Sequence, residues 1–356
     1  MVGELSLIGS YLFYIFCFGC SSIAAKSNIK NKLLRFILII VFPIFLATIR
    51  YNVGNDYGSY IDGFNLLVGK DFEFGRIDLI ENPLFYFFEK LSALTGNDRI
   101  FLLWTSLLSF VPVVLFFENY WKKKDINWIS IFFYLFTAVL FGFSAIKQGI
   151  AMAFTFYSMR YVLERKPFKF FLTVFIAFLF HSSALVFFPV YFLWNSRDNI
   201  SLLKKISIIS ISVLVVINLN FFAGLFLEGK YEEYTGSSVY GKNLSFWLYL
   251  GITLLFILFR KKLLLLDKRN DLFIIMMILG VILLIIGFTN AFTKRIAEYF
   301  LYVQVILFPQ LINCFREQDK PIVTIALIVY IVLLFTVAYP YSPDAELSFI
   351  PFRFKL

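Results

Sequence analysis

The sequence predicts an all-α polytopic membrane protein with about 10–12 membrane segments, including a short helical hairpin near residues 168–194. Three observations carry this expectation. Of the 356 residues, 60% are apolar and only 16% are charged, with a mean hydropathy of +0.81. Soluble domains run at roughly 45–50% apolar and ~25% charged, so this chain has too little polar surface to cover a water-facing globule. Apolar runs of spanning length recur between charged loops, and the basic residues among those loops are distributed unevenly. Aromatic residues reach 21%, as membrane packing and interfacial belts require.

In chain order, spans are expected near 5–25, 33–49, 100–117, 128–146, 148–163, 206–222, 244–259, 272–289, 296–313 and 321–339. The first span has no basic residue before it and is too long for the apolar region of a cleavable signal. The stretch 168–194 carries His181-Ser182-Ser183 at its middle and reads either as one long tilted helix or as two short helices meeting at a polar turn. Cytoplasmic loops collect Lys and Arg, and this rule separates the two. With the N-terminus outside and a hairpin at 168–194, 21 of the 33 Lys and Arg lie inside; with a single crossing the number falls to 17 and the bias disappears. The hairpin is therefore preferred. It also leaves 15 of the 23 Asp and Glu outside. The formal charge of +10 is then a signature of the cytoplasmic leaflet, where anionic lipid headgroups attract basic loops, and not of nucleic acid.

The organisation expected is a single integral membrane domain, 1–356, with an external loop at 50–99 and a second at 223–243. The first loop contains PLFYFFEKLSAL, an amphipathic stretch suited to the membrane interface. No fixed-period repeat or low-complexity linker is visible. Cys17 and Cys20 form a C-x-x-C, but within an apolar span and without the βαβ context of a redox motif. One histidine rules out a multi-His zinc site, so neither metal nor cofactor is expected. Neither G-x-x-x-x-G-K-[ST] nor G-x-G-x-x-G is present.

Charge at membrane depth is expensive, ~2.5–3.5 kcal/mol per group on insertion scales, so each such residue asks for a role. Under the hairpin topology Arg50, Lys147, His181 and Arg295 all fall on the external side. Arg50 opens RYNVGNDYGSY, where Gly and Asn permit tight turns and Asp56, Tyr57 and Tyr60 are side chains of the kind that contact sugars. Lys147, next to Gln148, occupies the shortest link of the chain and needs an anionic partner. His181 is the only side chain whose ordinary pKa lies near neutrality; it reads either as a proton acceptor or as the cap of a turn. Arg295 precedes Glu298 by one helical turn, the spacing of an i,i+3 pair, and Tyr299 follows. Three fixed cations beside a proton acceptor describe an anion site, and at an external face without ATP the phosphate arrives on a lipid.

The segment Arg50-x-x-x-Gly54-x-Asp56-Tyr57-x-x-Tyr60 resembles the R-x-x-x-G-x-D-Y-x-x-Y segment of the EpsG/Wzy-type polysaccharide polymerases. So do Ile146-Lys147-Gln148-x-x-Ala151, Phe180-His181-x-Ser183-Ala184, Arg295-x-x-x-Tyr299 and Pro340-Tyr341. The family usually places Arg where this chain has Lys147, which keeps the charge and loses the bidentate fork. The resemblance implies a bacterial inner-membrane glycosyltransferase that polymerises O-antigen, capsular or exopolysaccharide repeat units on the periplasmic face. Its donor and acceptor would be undecaprenyl-pyrophosphate-linked oligosaccharides, with a chain-length regulator and a flippase nearby. His181 is then the expected base, with Asp56 its rival. Arg50, Lys147 and Arg295 would hold the pyrophosphate, and Tyr57, Tyr60, Gln148 and Tyr299 the sugar. The alternatives are a ligase, which would use the same parts for one transfer to a different acceptor, and a flippase or transporter of the same lipid-linked saccharide. A flippase needs cations along a path open to both sides and often an internal repeat.

Overall fold

The computed structural model describes residues 2–72, 81–120, 124–194, 244–288, 291–338 and 348–355. The expected span 206–222, the loop 223–243 and Pro340-Tyr341 lie outside the described residues. The described chain is almost wholly helical, as expected of a polytopic membrane protein. Four helices are long and apolar enough to cross a membrane: α1 (Leu7–Lys26), α2 (Lys32–Ile49), Asp98–Tyr120 and the stretch Lys320–Val337. Their starts follow local rules. Ser6 Oγ accepts from the Gly9 amide and Asn31 Oδ1 from that of Leu34, each satisfying a donor that the first helical turn leaves open. Pro43 inside α2 removes one intrahelical hydrogen bond and frees a carbonyl one turn earlier.

The described part of the loop expected at 50–99 is largely helical. It forms α3 (Tyr57–Leu67) and α4 (Pro83–Ala93) before α5 (Asp98–Tyr120) begins. The amphipathic stretch buries Phe85, Tyr86, Glu89 and Lys90 and exposes Phe87 and Leu91. Lys90 Nζ donates to the Leu67 carbonyl at 3.1 Å, placing a cation on the C-terminal end of α3. Helix α6 (Lys124–Tyr134) passes through a π-helical turn, Leu135–Val139, into α7 (Leu140–Ser144). Ala145, at φ −103° and ψ 70°, then reverses the chain into α8 (Ile146–Leu163). That reversal depends on glycine: a Cβ on Gly149 would lie 2.7 Å from Gly142 Cα.

The stretch 168–194 is a hairpin. Helix α9 (Pro167–Phe180) ends at His181, and a 3-10 helix, Ser182–Leu193, returns. Its two arms pack ring on ring near the open end, with Phe170–Tyr191 centroids 5.4 Å apart and Phe171–Phe188 5.5 Å apart. Arg165 Nη1 closes that end by donating to the Tyr191 carbonyl at 3.3 Å. The 14 α-helical residues rise ~21 Å and the 12 tighter ones ~24 Å, so the arms match in length and neither alone spans a ~30 Å hydrocarbon core.

The helices fall into two compact units. One comprises residues 1–160, 172–184 and 331–356. In it the chain ends pair: β1 (Val2–Glu4) runs antiparallel to β2 (Arg353–Lys355), and Phe354 also bridges to Arg50. The Tyr51 amide donates to the Arg353 carbonyl at 2.9 Å. Residues 2–4, 50–51 and 353–355 therefore share one end of this bundle. Buried Arg35 and Glu118 join α2 to α5 by an ion pair. The other unit, residues 161–171 and 185–330, contains α10 (Leu244–Leu258), α11 (Arg260–Leu266), α12 (Asn270–Ile286), α13 (Ala291–Leu301), α14 (Gln304–Ile312) and the start of α15 (Lys320–Ala338). Here Gly280 lets α12 meet α13, since a Cβ on it would fall 2.6 Å from Leu301 Cδ2.

Candidate functional site

Arg50 follows the last residue of α2 and is only 2% exposed. Its guanidinium carbon lies 4.3 Å from the Phe143 ring centroid and 5.8 Å from that of Tyr57. Aromatic faces offer a cation partial compensation and no hydrogen-bond acceptor. Among the described residues Nε and Nη1 have no hydrogen-bond partner. Burial pushes the guanidinium down to about 10, against the raising influence of Tyr57 and Tyr14, so it remains a cation at neutral pH. Buried charge is normally paired, so these two nitrogens, with three N–H groups between them, are donors that a bound anion would satisfy.

The backbone that holds Arg50 is itself clamped. Arg99 Nη1 donates to the carbonyls of Thr48, at 2.8 Å, and Arg50, at 2.7 Å, satisfying the open end of α2. The Tyr57 hydroxyl donates to the same Arg50 carbonyl at 3.4 Å, and burial raises the pKa of this phenol. Gly54 has φ +107°, and a Cβ there would lie 2.3 Å from the Phe143 carbonyl oxygen. Only glycine lets the 50–57 turn sit this close to the 143–147 reversal. The Asn55 amide donates to Ser144 Oγ at 3.1 Å, fixing the same contact one residue on.

That contact brings Lys147 into the neighbourhood. Its amide donates to the Tyr60 hydroxyl at 3.4 Å, and its ammonium lies 4.9 Å from the Phe85 ring centroid. The Tyr60 and Phe85 rings are 5.8 Å apart. Gln148, beside Lys147, is buried. Asp56 stands immediately before α3, yet its carboxylate does not cap that helix. Arg50, Asp56, Tyr57, Tyr60, Lys147 and Gln148 are thus gathered by one turn packed on one reversal.

His181 borders the same region through α4. The preceding residue, Phe180, stacks on Phe88 at 6.0 Å, and Phe88 is three residues from Phe85. The Ser183 amide donates to His181 Nδ1 at 3.2 Å, and Ser183 Oγ lies 2.7 Å from it. An amide N–H can only donate, so Nδ1 is an acceptor and the neutral ring carries its hydrogen on Nε2. The imidazole in this geometry caps its turn with one nitrogen and presents a donor with the other.

Arg295 and Tyr299 belong to the other unit, on α13; Arg295 is exposed and Tyr299 buried. The i,i+3 spacing pointed Glu298 at Arg295, but the cation that acts on its carboxylate is Lys294, at i−4, together with a hydrogen bond to Tyr249. At 3.6 residues per turn both spacings are adjacent, and burial of this helix face selects the second.

Arg50 also forms part of the wall of a small recess of about 20 Å³, room for roughly one water molecule. Pro43, Ile44 and Ala47 of α2 line it, facing Thr105 and Ser109 of α5. The Thr105 and Ser109 hydroxyls donate to carbonyls of their own helix, at 3.1 and 2.8 Å, which leaves their oxygens as acceptors. A cation with open donors therefore adjoins a small, mainly apolar recess between α2, α5 and the 143–147 reversal.

A model of the EpsG family matches residues 33–354, which include every candidate site residue that the sequence analysis named. The chain belongs to the EpsG family. EpsG is a Wzy-type polymerase family, and the protein is a multi-pass membrane protein of that polysaccharide-polymerase type. No curated protein and no solved structure matches the chain. For this EpsG protein, sequence reasoning missed Arg99, Phe143 and Phe85. Arg99 reads as an ordinary loop charge before a span, and the two Phe residues carry no signal among the 48 in the chain.

Proposed function

We propose that this EpsG-family protein joins polyprenyl-pyrophosphate-linked oligosaccharide repeat units into polysaccharide on the periplasmic face of a bacterial inner membrane. The observation that carries the reading is Arg50: a buried guanidinium whose Nε and Nη1 have no partner among the described residues, held by the same turn and reversal that carry a second cation, Lys147. Pyrophosphate supplies the acceptors.

In the proposed reaction an acceptor sugar hydroxyl attacks the anomeric carbon of the donor. The new glycosidic C–O bond forms as the bond from that carbon to the lipid pyrophosphate breaks, and the pyrophosphate leaves as an anion. Arg50 and Lys147 stabilise the charge as it develops, the larger contribution in reactions of this kind. The hydroxyl proton goes to a carboxylate or imidazole. His181 and Asp56 are both candidates, and the bond from the Ser183 amide to Nδ1 favours Asp56 as base and His181 as a donor from Nε2. Tyr57, Tyr60 and Gln148 would contact the sugar. Arg295 and Tyr299, on α13 of the other unit, are assigned to the substrate by their R-x-x-x-Y motif alone. A chain-length regulator and a flippase are the partners such a reaction calls for.

Deleting the protein in its host tests the reading. Cells should accumulate single repeat units on lipid, accessible from the periplasm, and lose the polymer. Accumulation on the cytoplasmic side would instead identify a flippase, and unchanged polymer attached to no final acceptor a ligase.

A further inference from the structure

A second cavity, of about 380 Å³, lies at the end of the bundle where the chain termini pair. Three distant pieces of chain build it. Gly58, Ile61, Asp62 and Asn65 come from α3 at the i, i+3, i+4, i+7 spacing of a single helix face. Tyr51 and Asn52 come from the turn after Arg50, with Asn52 held at φ 50°. Gly96, at φ 64°, and Asp98 come from the start of α5, and Lys355 from β2. Two left-handed residues and a strand pairing are thus used to shape this hollow.

Its chemistry narrows the ligand. Two tyrosine rings, Tyr51 and Tyr57, stand 6.3 Å apart at the wall, beside two amides and two carboxylates. The polar lining does not suit a lipid chain. Asp62 and Asp98 against the single cation Lys355 do not suit a phosphate, and Arg50 is not part of the wall. No cluster of three metal-ligating side chains exists among the described residues. Aromatic faces that stack on C–H surfaces, combined with Asp and Asn groups that hydrogen-bond hydroxyls, suit a saccharide. Tyr57 is shared: its ring faces the Arg50 guanidinium at 5.8 Å and also lines this cavity.

We propose that this cavity is a saccharide subsite that holds sugar units of the lipid-linked chain beyond the one carrying the pyrophosphate. The proposal rests on the polymerase reading and extends it, adding Tyr51, Asn52, Asp62, Asn65 and Asp98 as sugar-contacting residues that no motif indicated. Cation and polar cavity then adjoin through Tyr57, in the order of pyrophosphate and saccharide.

The test uses the full-length protein in nanodiscs. The probe is the phosphate-free repeat oligosaccharide released by mild acid from the host's own lipid-linked intermediate. Asp62 and Asn65 are exposed on one helix face, so Asp62→Asn and Asn65→Ala leave the fold intact. The double variant should bind the oligosaccharide about tenfold or more weakly, since hydrogen bonds to a charged group are lost, and inorganic pyrophosphate as well as wild type. In polymerisation assays it should make shorter chains. Wild-type affinity for the oligosaccharide in the double variant, or no binding by the wild-type protein, would overturn the subsite. Failure of the polymerase reading looks different: the oligosaccharide binds and the variant loses it, yet the wild-type protein extends no lipid-linked unit.

Discussion

The Arg50 guanidinium stacks 4.3 Å from the centre of the Phe143 ring, and the Phe143 carbonyl in turn occupies the space that a side chain at Gly54 would need. One reversal of the chain thus shapes the turn that carries Arg50 and covers its charge. The predictions below follow from this contact and its neighbours.

Arg50→Met keeps the length of the side chain and removes a buried charge whose Nε and Nη1 have no partner among the described residues. Replacing such a group with an apolar one is often neutral or stabilising. The variant should therefore match or exceed wild type in thermal unfolding, with polymer formation reduced about a hundredfold or more. A clear loss of stability with polymerisation retained would mean that Arg50 is structural. Lys147→Arg, which adds a fork at a site already built for a cation, should keep full activity or gain some.

Gly54→Ala places a side chain at φ +107° and against backbone, 2.3 Å from the Phe143 oxygen. Strain of about 1–3 kcal/mol is expected, together with loss of activity as the turn is pushed off the reversal. Gly19→Ala, within α1 and with nothing within 4 Å, is the matched control and should be neutral or stabilising by up to about 1 kcal/mol. Equal melting temperatures for the two variants would contradict this packing.

His181→Asn retains an oxygen that accepts from the Ser183 amide, and so keeps the cap. If Asp56 is the base, this variant should retain about a tenth of the activity or more, with an unaltered pH profile. Asp56→Asn should lose about 10²–10⁴-fold. The opposite ranking in single-turnover rates would return the base assignment to His181.

Sidedness is predicted from the distribution of Lys and Arg among the loops, and the strand pairing puts both termini at one end of the bundle. In a protein lacking Cys17, Cys20 and Cys314, a cysteine placed at Thr95 or Lys355 should react with an impermeant thiol reagent in cells with a permeabilised outer membrane only. A cysteine at Lys30 should react only after the inner membrane is opened. Labelling of Lys30 and Lys355 positions from the same side would rule out the topology.

Much of this was legible in the sequence for physical reasons. Membrane insertion leaves its mark locally, in apolar runs and in the side on which Lys and Arg accumulate, and the hairpin about His181 followed from that charge balance alone. The gathering of Arg50, Tyr57, Tyr60 and Lys147 was legible as motifs because glycines with special backbone geometry fix it. The pairing of residues 2–4 with 353–355 was not, since three-residue strands carry no periodic signal and their partners are almost the whole chain apart. Arg99 was missed for a related reason: it acts through backbone carbonyls, and a carbonyl has no residue identity to read. Lys294 displaced Arg295 beside Glu298 because sequence spacing admits both and only packing decides.

The most direct test of the central claim is reconstitution of the purified protein with a lipid-linked repeat unit as sole substrate, the products being separated by length. The account predicts a ladder spaced by one repeat unit, with free lipid pyrophosphate released once per bond formed and no ladder from Arg50→Met. A wild-type protein, folded and able to bind the substrate, that returns every repeat unit at its original length would contradict it.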